Sequence, residues 1–184
     1  MRQILIALLI TLLLILSASV YIYLEGEPEG NNTSSLIGTS YHELINPSGF
    51  INTNGAPIRL GDIVGKKVIL LEFMRYDCAN CQRSFPHMVS LYEKYKDKGF
   101  EIVSVHTPQF AYEREEENVR KAMEAARITY PVVLDNDLAT WQVYGNHYWP
   151  RTFIIDLHGT IVYDHIGEGG YVEVEAKIQE LLGV

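Results

Sequence analysis

From Lys67 to Leu182, short apolar runs alternate with stripes at 3.6-residue spacing, which predicts strands laid between helices. Val68-Ile69-Leu70-Leu71 is apolar at every position and reads as part of a buried strand over Lys67–Met74. A helix follows over Ala79–Lys96, with Phe85, Met88, Leu91 and Tyr92 on its inner face and Pro86 placed to kink it. Phe100–His106 is the next strand, and the helical crossover makes it parallel to the first. Glu113–Ala126 reads as an amphipathic helix with acids at its start and Val119, Met123 and Ala126 inward. A short strand (Pro131–Leu134) and a short helix (Leu138–Tyr144) come next. Thr152–Leu157 and Thr160–His165 flank His158-Gly159 as an antiparallel hairpin, and Val172–Leu182 closes the chain as a helix. Upstream, Phe50–Thr53 and Pro57–Leu60 flank Asn54-Gly55, a second hairpin signal.

The N-terminal pattern is different. Ile4–Leu24 holds no charged residue, and at helical rise it is long enough for the hydrocarbon core of about 30 Å. It exceeds a usual signal-peptide core, so an uncleaved membrane anchor (1–24) is expected, with cleavage near Ser17-Ala18-Ser19 as the lesser alternative. Arg2 on one side and Glu25, Glu27 and Glu29 on the other place the N-terminus in the cytoplasm and the rest outside, as a single-pass protein. Residues 25–35, polar and without period, read as a flexible linker, and 36–184 as one domain.

Charge narrows the choice of partners. Net charge is −8, and leaving out Arg2 the body carries 14 basic against 23 acidic side chains. An acidic body without a basic run argues against nucleic acid. Chemistry concentrates at the only two cysteines, Cys78 and Cys81, in Glu72–Pro86. Three positions apart, they would staple almost no chain, so a cycling redox pair outweighs a structural cross-link. They fall at a strand-to-helix junction, where free backbone N–H groups and the helix dipole stabilise a thiolate. Cys78 is therefore expected to attack, and Cys81, one turn on and more buried, to resolve the mixed disulfide.

The order of elements, with C-x-x-C at the first strand-helix junction, resembles the thioredoxin fold in its TlpA/ResA-like variant. That implies an α/β protein with three α/β/α layers, a mixed sheet, an N-terminal hairpin and an αβ insertion, preceded here by one transmembrane helix. FINTNGAPIRLGDIVGKKVILLEFMRYDCANCQRSFP, VSVHTPQF, TYPVVLDNDLATWQVYGNHYWP and GEGGYVEVEAKIQELL look like the thioredoxin-like domain of DipZ-type thiol-disulfide proteins. The resemblance implies an extracytoplasmic oxidoreductase acting on protein thiols and disulfides, supplied by a membrane electron donor, with no cofactor beyond the Cys78-Cys81 disulfide. It gives Cys78 as nucleophile, Cys81 as resolving thiol, Glu72 as a buried proton shuttle and Pro150 as a cis-proline facing the dithiol. Burial would raise the Glu72 pKa, as a shuttle requires.

This chain departs from the pattern in carrying Ala79-Asn80 between the cysteines and Arg75-Tyr76-Asp77 before them. Potentials across the fold run from about −270 to −120 mV, and Arg75 and Asp77 push a thiolate in opposite senses, so both directions of exchange stay open. Tyr76 and Trp149 stand as an aromatic substrate rim or as plain packing. His106 stands as a proton-transfer aid or a structural histidine. Asp135-Asn136-Asp137 suits helix capping better than a metal, and Gly167–Gly170 suits a turn. The competing function is a Cu(I)-binding module using both thiolates with His87 or His106, although copper-delivery relatives space their cysteines more widely. A thiol peroxidase is disfavoured because the Thr expected shortly before the cysteine is absent.

Overall fold

The structure, a computed structural model, describes residues 35–184; the expected membrane span (1–24) and nearly all of the expected linker lie outside the described residues. Among the described residues no helix is long and apolar enough to cross a membrane. In chain order the elements are β1 (Gly49–Ile51), α1 (Leu60–Ile63), β2 (Val68–Met74), α2 (Ala79–Tyr95), β3 (Phe100–His106), α3 (Glu116–Ala125), β4 (Val132–Leu134), α4 (Ala139–Val143), β5 (Arg151–Ile155), β6 (Ile161–Ile166) and α5 (Tyr171–Leu182). The strands form one mixed sheet in the order β1-β4-β3-β2-β5-β6. β2, β3 and β4 run parallel, as the α2 and α3 crossovers require, while β1, β5 and β6 are antiparallel to their neighbours.

The uniform apolarity of β2 is satisfied by cover on both faces. Val68, Leu70 and Met74 pack with Cys81, Phe85, Met88, Val119, Val174 and Ile178 on the α2/α3/α5 side. Ile69, Leu71 and Phe73 pack with Leu60, Trp141, Tyr144 and Phe153 on the α1/α4 side. Alternation along the strand then puts residue 72 on the α2 side, beneath the dithiol.

The hairpin expected around His158-Gly159 is present. Asp156 Oδ1 accepts from the backbone N–H groups of His158 (2.8 Å) and Thr160 (2.9 Å), and Gly159 takes φ 81°. Asp135 caps as expected: its carboxylate accepts from the N–H groups of Thr140 (3.0 Å) and Trp141 (2.8 Å) in the first turn of α4. α2 runs through Pro86 without interruption.

Two expectations need correction. Phe50–Thr53 and Pro57–Leu60 do not pair as a hairpin. β1 instead joins β4, with Gly49 opposite Leu134, and Pro57–Arg59 lies outside the sheet. Asn52, Asn54 and Gly55 all take positive φ (62°, 55°, 76°), and Pro57 has no N–H for a ladder. The Asn52 amide donates to Ile128 O (2.9 Å) and Tyr130 O (3.0 Å), which ties the end of β1 to the β4 side. Glu43, from seventeen residues upstream, accepts from Leu60 N (2.8 Å) and starts α1 where a strand was expected. The helix expected over Glu113–Ala126 is also divided. A 3₁₀ turn, Ala111–Arg114, precedes α3, and Glu113 is drawn out of the helical series by a buried ion pair described below.

Candidate functional site

Cys78 is the N-cap of α2, with extended backbone (φ −116°, ψ 117°), and its sulfur accepts from Cys81 N at 3.5 Å. An orphan N–H of the first helical turn is thus spent on the sulfur. The two cysteines are free thiols; Cys78 is half-buried and Cys81 buried. Burial pushes the Cys81 thiol far above its ordinary range, its hydrogen bond with Cys78 adds to this, and a backbone hydrogen bond from Arg75 opposes it. Attack from Cys78 and resolution by a protonated Cys81 is the division of labour that this asymmetry favours.

Trp149-Pro150 is a cis peptide bond, and it delivers the Trp149 carbonyl to 3.8 Å from Cys78 Sγ. Trp149 is half-buried and leans on Trp141, ring centroids 4.4 Å apart. Tyr76 stacks on His106 at 5.5 Å, while its backbone carbonyl accepts from Gln82 Nε2 at 2.9 Å. Pro150 is buried, whereas Trp149 and Tyr76 are each partly exposed. His106 is fully buried, with neither ring nitrogen hydrogen-bonded, and burial followed by the nearby Arg75 charge lowers its pKa to about 4. It is a neutral packing surface for Tyr76 at neutral pH.

Glu72 lies in the middle of β2, opposite Ser104 of β3 and Thr152 of β5, and is fully buried. Ser104 Oγ donates to Oε2 at 2.9 Å, and Ser84 Oγ of α2 lies 3.4 Å from Oε1. Burial raises its pKa to about 7, against the opposing pull of the two hydroxyls. Its field also raises Cys81, so the carboxyl and the resolving thiol are electrostatically coupled. A carboxyl that is half-ionised near neutral pH beside a reluctant thiol has the properties of a proton acceptor and donor.

The two charges next to the dithiol are both committed elsewhere. Arg75 bonds Glu113 at 3.1 Å, and the Glu113 carboxylate also accepts from Gln109 N and Phe110 N, each at 2.8 Å. The Asp77 carboxylate accepts from the Tyr112 hydroxyl. The Arg75 guanidinium lies between the rings of Phe110 (5.3 Å) and Trp149 (5.5 Å). Residues 109–114 are thereby fastened to the loop that carries Cys78. A groove of about 600 Å³ opens between α2 and α3, starting at Tyr76 and Gln82 and lined further by Phe85, Val89 and Ala126.

Sequence reading placed Cys78, Cys81, Glu72, Tyr76, Trp149 and Pro150 in one site, and the fold brings all six together. It passed over Ser84, Ser104 and Glu113. Alternation along β3 was the available signal for Ser104, which shares its face of the strand with Phe100, Ile102 and His106; nothing local marked Glu113. His87 stacks on Tyr171 (4.2 Å), and among the described residues no three His, Cys, Asp or Glu side chains gather as a metal-holding group.

Comparison with known proteins agrees with this geometry. Residues 43–178 match the Redoxin family model. Protein DipZ of Mycobacterium tuberculosis (strain CDC 1551 / Oshkosh) is 44% identical over 141 residues, 76% of this chain, so the chain spans about a fifth (20%) of that relative's length. Thiol-disulfide oxidoreductase ResA of Bacillus subtilis (strain 168) is 34% identical over 111 residues, covering 60% of this chain and 59% of that protein. A crystal structure described as a thiol:disulfide interchange protein DsbE from Chlorobium tepidum superposes with TM-score 0.69 at 27% identity, over 81% of this chain and 100% of that one. The sheet, the dithiol at the β2–α2 junction and these matches lead to one assignment: the chain belongs to the Redoxin family, as a thioredoxin-like protein of the TlpA/ResA-like type.

Proposed function

We propose that this protein is a membrane-anchored, extracytoplasmic thiol-disulfide oxidoreductase that exchanges disulfides with protein cysteines through Cys78 and Cys81. The observation that carries the reading is the asymmetry of the pair: a half-buried, N-cap Cys78 beside the Trp149 carbonyl, and a buried Cys81 within the field of Glu72. The redox group is the dithiol itself, without a further cofactor.

In the reductive direction the Cys78 thiolate attacks one sulfur of a partner's disulfide, forming the mixed disulfide and releasing the partner's other sulfur as a thiolate, which takes a proton from solvent. The Glu72 carboxylate then accepts the Cys81 proton. The Cys81 thiolate attacks Cys78 Sγ, closes the intramolecular disulfide and expels the second partner thiolate. Oxidation is the same sequence reversed. Tyr76 and Trp149 flank Cys78 and suit contact with the polypeptide on either side of the partner's cysteine. An electron donor in the membrane would restore the dithiol. No observation favours the Cu(I) alternative over this reading.

Insulin disulfide reduction with a supplied dithiol tests the chemistry: activity is expected in the wild type and is expected to vanish in Cys78→Ser. Equal rates with and without the protein would end the reading. Alkaline extraction of membranes, with alkylation of Cys78 by a membrane-impermeant reagent in intact cells, tests the anchor and the sidedness expected from Ile4–Leu24. Release into the soluble fraction would remove the anchor.

A further inference from the structure

The two oxygens of Glu72 are held in different ways. Ser104 commits its hydroxyl proton to Oε2 at 2.9 Å. The Ser84 hydroxyl stands between two acceptors, the Cys81 carbonyl at 2.8 Å and Glu72 Oε1 at 3.4 Å. A serine hydroxyl carries one proton and two lone pairs. When Glu72 is ionised, the Ser84 proton can swing to Oε1. When Glu72 is protonated on Oε1, Ser84 can point its proton at the Cys81 carbonyl and accept the carboxylic O–H with a lone pair. Both protonation states are therefore satisfied at Oε1, whereas at Oε2 the Ser104 donor opposes a second proton. All three side chains are at most 1% exposed, so water does not level the difference.

We propose that Ser104 and Ser84 are positioning residues that confine the exchangeable proton of Glu72 to Oε1, the oxygen on the side of Ser84 and α2. The proposal deepens the disulfide-exchange reading and rests on it for its purpose. In the exchange step the S–H bond of Cys81 breaks and an O–H bond forms at Oε1. Negative charge passes from carboxylate to sulfur, and the Ser84 proton turns back to the Cys81 carbonyl. The titratable groups that face the carboxyl are Cys81 from α2 and Tyr130 from the loop before β4, whose buried hydroxyl lies close enough to Ser104 to interact with it. β5 contributes only Thr152 at the paired position.

A ¹³C-carboxyl NMR titration of Glu72 in the full chain in mild detergent reads the proton directly. Ser104→Ala should move the Glu72 midpoint upward by about one pH unit, a roughly tenfold change, because the ionised form loses a charge-assisted hydrogen bond. Ser104→Thr, which keeps the hydroxyl, should hold the wild-type midpoint. Ser84→Ala, a helix substitution independent of strand packing, should shift the infrared C=O band of protonated Glu72 to higher wavenumber, as an acid losing its acceptor does. An unmoved midpoint in folded Ser104→Ala, or an unmoved band in Ser84→Ala, overturns the proposal. The pH profile of exchange separates it from the reading beneath it. If the midpoint and band move as stated but Glu72→Gln retains the wild-type profile, the placement of the proton stands and the shuttle role of Glu72 falls.

Discussion

Glu72→Gln preserves the shape of the side chain and an acceptor for Ser104, and removes only the titration. The folded carboxyl has a pKa of about 7 against an ordinary 4.5, with burial as the leading cause. Where the folded value is the higher one, the group's contribution to stability is fully present below pH 4.5, drains away as pH rises, and is lost above about 7. At 1.36 kcal/mol per unit, that gap corresponds to about 3 kcal/mol. The variant should therefore match the wild type near pH 4 and exceed it by about 3 kcal/mol at pH 8.5. With a urea slope of about 2 kcal/mol/M, the unfolding midpoints would separate by about 1.5 M. Urea titrations in excess reductant, followed by the fluorescence of Trp141 and Trp149, measure this at half-unit steps. Taking the difference between the two proteins cancels the other titrating groups. A difference flat across pH, or one that grows toward acid, would refute desolvation of Glu72 as the source.

Further outcomes follow from the same structure. His106, fully buried with a pKa lowered to about 4 from 6.5, withholds stability in the opposite window: its contribution is present above 6.5 and lost as pH falls toward 4. His106→Phe, which keeps a ring under Tyr76, should flatten the acid limb of the stability curve, and an unchanged limb counts against the assignment. Arg151→Met strands Asp164, its partner at 2.8 Å and 5% exposed, and should destabilise the fold by about 3–5 kcal/mol in urea unfolding, while the pair Arg151→Met/Asp164→Leu should recover much of the loss. Cys81→Ala should accumulate Cys78-linked mixed disulfides on non-reducing gels, and Cys81→Ala/Cys78→Ser none. Asn52→Ala loses two hydrogen bonds and a residue type tolerant of φ 62°; about 1–3 kcal/mol of destabilisation is expected, with the exchange rate unchanged.

Local signals carried far in this chain because its central strands are buried on both faces and its helices carry a single apolar stripe. Val68–Leu71 announced a strand covered on both faces, and His158-Gly159 a tight turn between β5 and β6. Reading failed where a distant residue outbid the local preference. Asn54-Gly55 does turn the chain, but Glu43 and the Asn52 amide carry the two arms to different neighbours, so no hairpin forms. Glu113 has the composition of a helix start and is instead the buried partner of Arg75, 38 residues away.

The same division holds at the dithiol. Sequence by itself determined the C-x-x-C pair, its place at a strand-to-helix junction and a carboxyl six residues earlier, because spacing, period and residue type are properties of the chain alone. Tertiary structure alone decided which charges reach the sulfurs. Arg75 and Asp77, three positions and one position before Cys78, are spent on Glu113 and Tyr112, while Glu72 acquires Ser104 through strand register and Ser84 through helix packing. Electrostatic influence depends on distance, burial and hydrogen-bond partners in space, and those are settled only when β2, β3 and α2 come together.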